Sequence, residues 1–173
     1  AALTAPELAA GDTDYRVRLT VDPEAKTLTI EDNGIGMSEE DMIENLGTIA
    51  RSGTSHFVDQ LTGDAAKDVS VIGQIGVGFY SSFMVADKVE VTSLKAGESQ
   101  AHVWTSEGHG SYTIGDADRL GRGTKIVLHI KKDAEEYLDP SRLRNIVKRY
   151  ADHIALPVVL VGDDDGVEDE VLN

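Results

Sequence analysis

The sequence predicts an α+β domain: a two-layer α/β sandwich in which a mixed, mostly antiparallel sheet carries its helices on one face. Three observations predict it. Strand patterns come in groups rather than in strict alternation with helices, which points away from a doubly wound parallel sheet. The apolar spacing switches between a period of two and the period of a helix at definable points. The 173 residues are 40% hydrophobic and 27% charged, the balance of one globular domain with its own core.

From Arg16 the order Arg-Val-Arg-Leu-Thr-Val alternates polar and apolar residues. After Asp22-Pro23-Glu24 the run Thr27-Leu28-Thr29-Ile30 alternates again, so the two read as a hairpin. The second strand enters Asp32-Asn33-Gly34-Ile35-Gly36, a cluster of turn formers. Ser38 then stands as N-cap before Glu39, Glu40 and Asp41, with Met42, Ile43, Leu46 and Ile49 at helical spacing and Gly47 as a stop signal. Between Ser52 and Gln74 the residues are small and polar, which suggests a mobile segment. Gly73-Gln74-Ile75-Gly76-Val77-Gly78 reads as a tight loop feeding a buried helix over Phe79 to Val85. Strand patterns recur at Lys88 to Ser93, Ala101 to Thr105, Ser111 to Ile114 and Gly123 to Ile130, separated by Gly-rich or Asp-rich turns. Asp139-Pro140 opens a helix with cap and first-turn residues in the favoured order. Its expected apolar face is Leu143, Ile146, Val147, Tyr150 and Ile154. A last strand runs from Val158 to Val161. The domain is expected to cover residues 1–161, with an acidic linker over 162–173, where Asp163-Asp164-Asp165 and Glu168-Asp169-Glu170 are too charged to bury.

Lys and Arg number 16 against 31 Asp and Glu, a formal net charge of -15 that would repel a phosphate backbone, so nucleic acid is not an expected partner. A single phosphate group is a different matter, because backbone N–H groups can hold it locally. With no cysteine there is neither a disulfide framework nor a thiolate metal site. The longest apolar run, Ile154 to Val161, is far short of a bilayer span and contains Pro157, so no membrane partner is expected. The five histidines show no i, i+4 pair, and no metal site is assigned.

Three glycine-containing segments remain as candidates for chemistry: Asp32 to Met37, Gly47 to Gly53 and Gly73 to Phe79. Singly, each reads as ordinary turn punctuation. Gly76-Val77-Gly78-Phe79-Tyr80-Ser81 misses the last glycine of a dinucleotide-binding loop, and no Gly-Lys-Ser/Thr P-loop is present.

In this order and spacing, however, they resemble the Bergerat or GHKL-type ATP-binding domain shared by heat-shock chaperones, type II topoisomerases, mismatch-repair proteins and histidine kinases. Gly-Thr-Ile-Ala-Arg-Ser-Gly, Gly-Gln-Ile-Gly-Val-Gly-Phe-Tyr-Ser-Ser-Phe and Asp152-His153-Ile154-Ala155-Leu156-Pro157 narrow the resemblance to the ninety-kilodalton heat-shock chaperones, particularly the bacterial HtpG type, from about Leu3 to Val161. The resemblance implies that Asp32 binds the adenine amino group. A carboxylate only accepts hydrogen bonds, whereas guanine would present an oxygen there. Gly36 would let the backbone approach the base, and Met37 would pack on its face. Asn45 and Leu46 match positions near the sugar and phosphates. Arg51 stands where many relatives have Lys. Gly76, Gly78 and Phe79 match the loop whose N–H groups wrap the phosphates, and Thr124 matches a threonine of the pocket floor. Ser52 to Gln74 resembles a lid that folds over ATP. Each has a plain alternative: Asp32 as a turn cap, Asn45 and Leu46 as helix residues, Thr124 as a strand residue.

The family's first motif, a helix with a Glu that activates water and an Asn four residues on that ligates magnesium, has no match. Ala2 to Asp12 resembles the stretch after it, so the base is expected upstream of Ala1, and the first strand and helix of the domain are expected to be missing. Loss of a general base alone typically costs ~10²- to 10⁴-fold, so negligible ATPase activity is expected of these 173 residues by themselves. The resemblance further implies ATP or ADP with Mg2+ as cofactor, unfolded or partly folded client proteins as partners, a homodimer in the full-length protein, a middle domain beyond the linker, and a cytoplasmic location. The alternative is a nucleotide-binding or interaction module without catalysis.

Overall fold

A computed structural model describes residues 13–47, 77–162, 166 and 168–173 of the chain. The expected hairpin is present as β1 (Val17–Asp22) and β2 (Thr27–Asp32), with Leu19 opposite Ile30 and Val21 opposite Leu28. Asp22 closes its turn by accepting a hydrogen bond from the Ala25 N–H at 2.8 Å. The later strands are β3 (Ala86–Leu94), β4 (Ala101–Ser106), β5 (Tyr112–Ala117), β6 (Gly123–Ile130), β7 (Val158–Leu160) and β8 (Glu170–Val171).

Among the described residues these form one eight-stranded sheet in the order β5-β4-β3-β6-β2-β1-β7-β8. Of its pairs only β1–β7 is parallel, so the sheet is mixed and mostly antiparallel, as expected. Strand alternation sorts the side chains onto two faces. Leu19, Leu28, Val89, Val91, Trp104, Leu128, Ile130, Val158 and Leu160 share one face and join Met42, Leu46, Ala134, Leu143 and Val147 from the helical segments in a single buried cluster. Arg18, Thr20, Glu31, Glu90 and Lys125 alternate with them onto the other face, where they are half-buried or exposed. The described helices therefore lie on one side of the sheet.

Ser38 caps α1 (Glu39–Met42) in a full capping box: its hydroxyl accepts from the Asp41 N–H, and the Asp41 carboxylate accepts from the Ser38 N–H. The helix then widens into one π turn over Ile43–Gly47. Met42 and Leu46 stay in the core while Ile43 faces outward, 42% exposed.

The helix expected over Phe79 to Val85 is corrected. It is two short pieces, α2 (Val77–Tyr80) and α3 (Ser82–Val85), broken at Ser81, whose hydroxyl bonds back to the Gly78 carbonyl and competes with the helical ladder. No residue of α3 is fully buried, and Met84 is 77% exposed.

A 3₁₀ helix over Lys132–Leu138, unforeseen in a polar stretch, precedes α4 (Pro140–Tyr150). Asp139 caps α4 by accepting from the Ser141 N–H at 2.9 Å, as its position suggests. The apolar face of α4 is shorter than expected: Leu143 and Val147 are buried, but Tyr150 and Ile154 are exposed because the helix ends at Tyr150. At the far end, Glu170 and Val171 of the expected linker segment pair with β7, and Asn173 Oδ1 accepts from the Val158 N–H at 2.7 Å.

Candidate functional site

Asp32, the last residue of β2, lies opposite Thr124 of β6. Cross-strand partners project to the same face, so its carboxylate and the Thr124 hydroxyl stand side by side on the helix-covered face. The turn cluster after Asp32 folds as its composition suggests: Asp32 Oδ1 accepts from the Gly34 N–H at 2.8 Å, an Asx turn that orients the carboxylate. The turn role and the ligand role are therefore compatible, because the turn uses one acceptor site on one of two oxygens.

The same turn is held from both flanks. Asn33 Oδ1 accepts from the Arg16 N–H at 2.9 Å. Arg119, just before β6, pairs with Glu31 at 2.7 Å and donates to the Asp32 carbonyl at 3.3 Å, while Arg122 donates to the Gly34 carbonyl at 3.2 Å.

Gly36 sits at φ +72, and a Cβ there would stand 2.0 Å from the Leu94 carbonyl oxygen. The close approach that demands glycine is thus to the end of β3, fixed by the Ala96 N–H donating to the Ile35 carbonyl at 2.7 Å. Gly123, at φ +122, has the same need, since a Cβ would fall 2.2 Å from the Asp32 carbonyl oxygen. Met37 is half-buried against the core, and its N–H donates to Ser93 Oγ at 2.8 Å. Ser93 is fully buried; its hydroxyl donates to the Gly123 carbonyl at 2.9 Å and lies 2.9 Å from Thr124 Oγ1. One buried hydroxyl therefore ties the loop after Asp32 to the strand bearing Thr124.

Lys95 Nζ lies 2.7 Å from Asp41 Oδ2. This hydrogen bond, with the Ser38 N–H as the next contribution, lowers the Asp41 pKa to about 2 and pins α1 to the end of β3.

Asp32, Gly36, Met37 and Thr124 are thus brought together. Asn45 is exposed, its side-chain amide donating to the Asp41 carbonyl at 2.8 Å, and Leu46 packs in the core. Gly78 is exposed on α2, where Phe79 meets Trp104 edge-on at 5.6 Å. Arg51, Gly76 and the lid segment Ser52 to Gln74 lie outside the described residues. Ser93, Arg119 and Arg122 were missed by the sequence reading. A signal for Ser93 existed: it continues the phase of Val89 and Val91, a lone hydroxyl in the buried register of its strand.

A family model described as histidine kinase-, DNA gyrase B- and HSP90-like ATPase matches residues 9–119. The chain belongs to this family. Within the HSP90-like ATPases it is similar to proteins named Chaperone protein HtpG. It is 58% identical to that of Rickettsia massiliae over 153 residues, covering 88% of this chain and 25% of that protein. Against Paramagnetospirillum magneticum the values are 54% over 172 residues, 99% and 27%, and against Rhodospirillum rubrum 56% over 163 residues, 92% and 26%. The chain spans about a quarter of the length of these relatives. The fold is of the GHKL type.

Proposed function

We propose that the chain is the adenine-nucleotide-binding domain of an ATP-driven chaperone. The observation that carries this reading is the sheet-end constellation of Asp32 and Thr124, cross-strand partners, with the carboxylate oriented by its Asx turn. An ionised carboxylate can only accept hydrogen bonds, so it suits the exocyclic amino group of adenine and opposes the 6-oxo group of guanine. Met37 would pack against the base. Asn45, Leu46 and Arg51 would line the sugar and phosphate side, and the loop from Gly76 to Phe79 would wrap the phosphates. When bound, ATP would supply the phosphoanhydride whose hydrolysis drives the cycle. Among the described residues no group of three His, Cys, Asp or Glu side chains is placed to hold a metal.

In the whole protein, ATP binding would close the segment Ser52 to Gln74 as a lid, promote dimer contacts and drive remodelling of unfolded clients through hydrolysis, in the cytoplasm. Among the described residues no helix is long and apolar enough to cross a membrane. A glutamate followed four residues later by asparagine occurs nowhere in the 173 residues, so the chain by itself is proposed to bind nucleotide without appreciable turnover.

Calorimetric titration with ADP and with GDP tests the reading. ADP binding without GDP binding is expected, and ligand at a hundred times its Kd should add ~2.7 kcal/mol to the thermal stability. Equal binding of the two would refute adenine selection by Asp32.

A further inference from the structure

The face of the sheet away from the described helices carries a basic groove that the nucleotide reading does not use. Its volume of about 630 Å³ is enough for several side chains of a ligand. Arg16, Arg18, Arg119 and Arg122 line it, four of the 16 basic residues of a chain whose net charge is -15. Strand alternation explains half of the cluster: Arg16, Arg18 and Thr20 follow one another at every second position into β1, so they share a face. The loop before β6 brings the others, with the Arg122 guanidinium over the Tyr15 ring at 5.3 Å. Of the two acidic residues lining the groove, Asp32 turns its carboxylate to the opposite face, and Glu31 is neutralised by Arg119 at 2.7 Å. The Arg119 side chain is 10% exposed, and its Nε–H is buried with no acceptor among the described residues, a donor whose cost an incoming oxygen would relieve. Arg16 meets Asp14 at 2.7 Å and Arg18 meets Asp169 at 3.2 Å, both in exposed pairs, so either carboxylate can be exchanged for another at little cost.

We propose that this groove binds an extended acidic peptide segment of a partner protein, with carboxylates on alternate residues. Positions two apart on a strand are separated by ~6.8 Å, the spacing at which an extended peptide repeats its own alternate side chains. A peptide laid along β1 sets one carboxylate on Arg16 and the next on Arg18, each able to accept the paired N–H donors of a planar guanidinium. Thr20 continues the row with a hydroxyl, and Leu120, fully exposed at the rim, supplies an apolar contact. The chain already pairs these two arginines with carboxylates from its own flanks, Asp14 and Asp169, so the groove exercises the proposed chemistry within the molecule. Free phosphate or an anionic lipid surface offers charge without the two-residue spacing. The proposal is independent of the adenine reading, because the groove opens on the face away from the described helices.

The test titrates the full chain by calorimetry with two synthetic peptides of equal length and charge. One alternates Glu and Thr; the other repeats Glu-Glu-Thr-Thr, which contains no carboxylates two residues apart. The alternating peptide should bind about tenfold more tightly, the equivalent of one charge-assisted pair. Arg18→Gln should weaken its binding by about the same factor and bring the two peptides level. Asp169→Asn keeps the oxygen that accepts from the Gly162 N–H at 3.0 Å but no longer competes for Arg18, so binding should tighten by up to about fivefold. Equal affinity for the two peptides, binding of neither, or unchanged affinity in a folded Arg18→Gln protein overturns the proposal. So does displacement of the alternating peptide by an equal concentration of inorganic pyrophosphate or by phosphatidylserine vesicles, since either would make the groove a general anion patch. Should Arg18→Gln not fold, amide NMR shifts of the parent on adding the alternating peptide decide. Changes centred on Arg16, Arg18 and Thr20 are expected, and changes centred on Ser93 and Thr124 overturn the proposal.

Discussion

In the proposed site a turn residue, Asp32, doubles as the base-binding acceptor. Its Asx turn to Gly34 removes the rotational freedom that a free carboxylate would lose on binding, so the acceptor is oriented before any ligand arrives. Asp32→Asn keeps a turn-forming side chain but replaces an acceptor-only group with a weaker, uncharged amide, and ADP affinity should fall at least about tenfold, read by calorimetry. Gly36→Ala tests the loop itself. With φ at +72 and the Leu94 oxygen 2.0 Å from a built Cβ, the substitution should destabilise the fold by on the order of 1–3 kcal/mol in denaturant unfolding. An unchanged midpoint would contradict the close approach. At this scale the candidate site was partly legible in the sequence. Asp32, Gly36 and Thr124 were singled out by the resemblance that the three glycine-containing segments carry together, but the partner of Gly36 could not be, because its contact, Leu94, lies on a strand far along the chain.

Among the elements, those encoded by local chemistry matched expectation. The β1–β2 hairpin follows from alternation and a turn, α1 from the Ser38 capping box, and α4 from Asp139-Pro140. The failures came where a local interaction overrode the apolar pattern. Ser81 interrupts the run from Phe79 to Val85, and the 3₁₀ turn after β6 buries only Ala134 fully in a polar stretch.

The capping box of α1 makes two predictions. Ser38→Ala should cost about 1 kcal/mol of stability in denaturant unfolding. The second concerns pH. Asp41 has a folded pKa of about 2 against an ordinary 3.8, so its contribution to stability is fully present above 3.8 and is lost as pH falls through the folded value. The stability difference between parent and Asp41→Asn should therefore shrink steadily between pH 5 and pH 2, a range that brackets those two values. A difference that stays constant on acidification would mean that Lys95 does not hold the Asp41 carboxylate.

For the molecule as a whole, a sheet whose described helices pack on one face places the proposed site at the strand ends, where β2, β6 and β3 bring Asp32, Thr124 and Ser93 together. The one-sided architecture was legible in the sequence because the grouped strand patterns and the polar alternate positions are global features. The strand order was not, since pairing partners are set by packing across the whole chain. The net charge of -15 adds self-repulsion that salt should screen, so the thermal midpoint is expected to rise between about 10 and 200 mM NaCl. A fall would mean that ion pairs such as Arg119–Glu31 outweigh the global repulsion.

The most direct test of the central claim, that Asp32 and Thr124 form the floor of an adenine site, is a crystal structure of the chain with ADP. The account predicts the adenine amino group donating to the Asp32 carboxylate beside Thr124, with Ser93 still bonded to Met37, Gly123 and Thr124. A base bound elsewhere, or bound here with Asp32 turned away from its amino group, would contradict it.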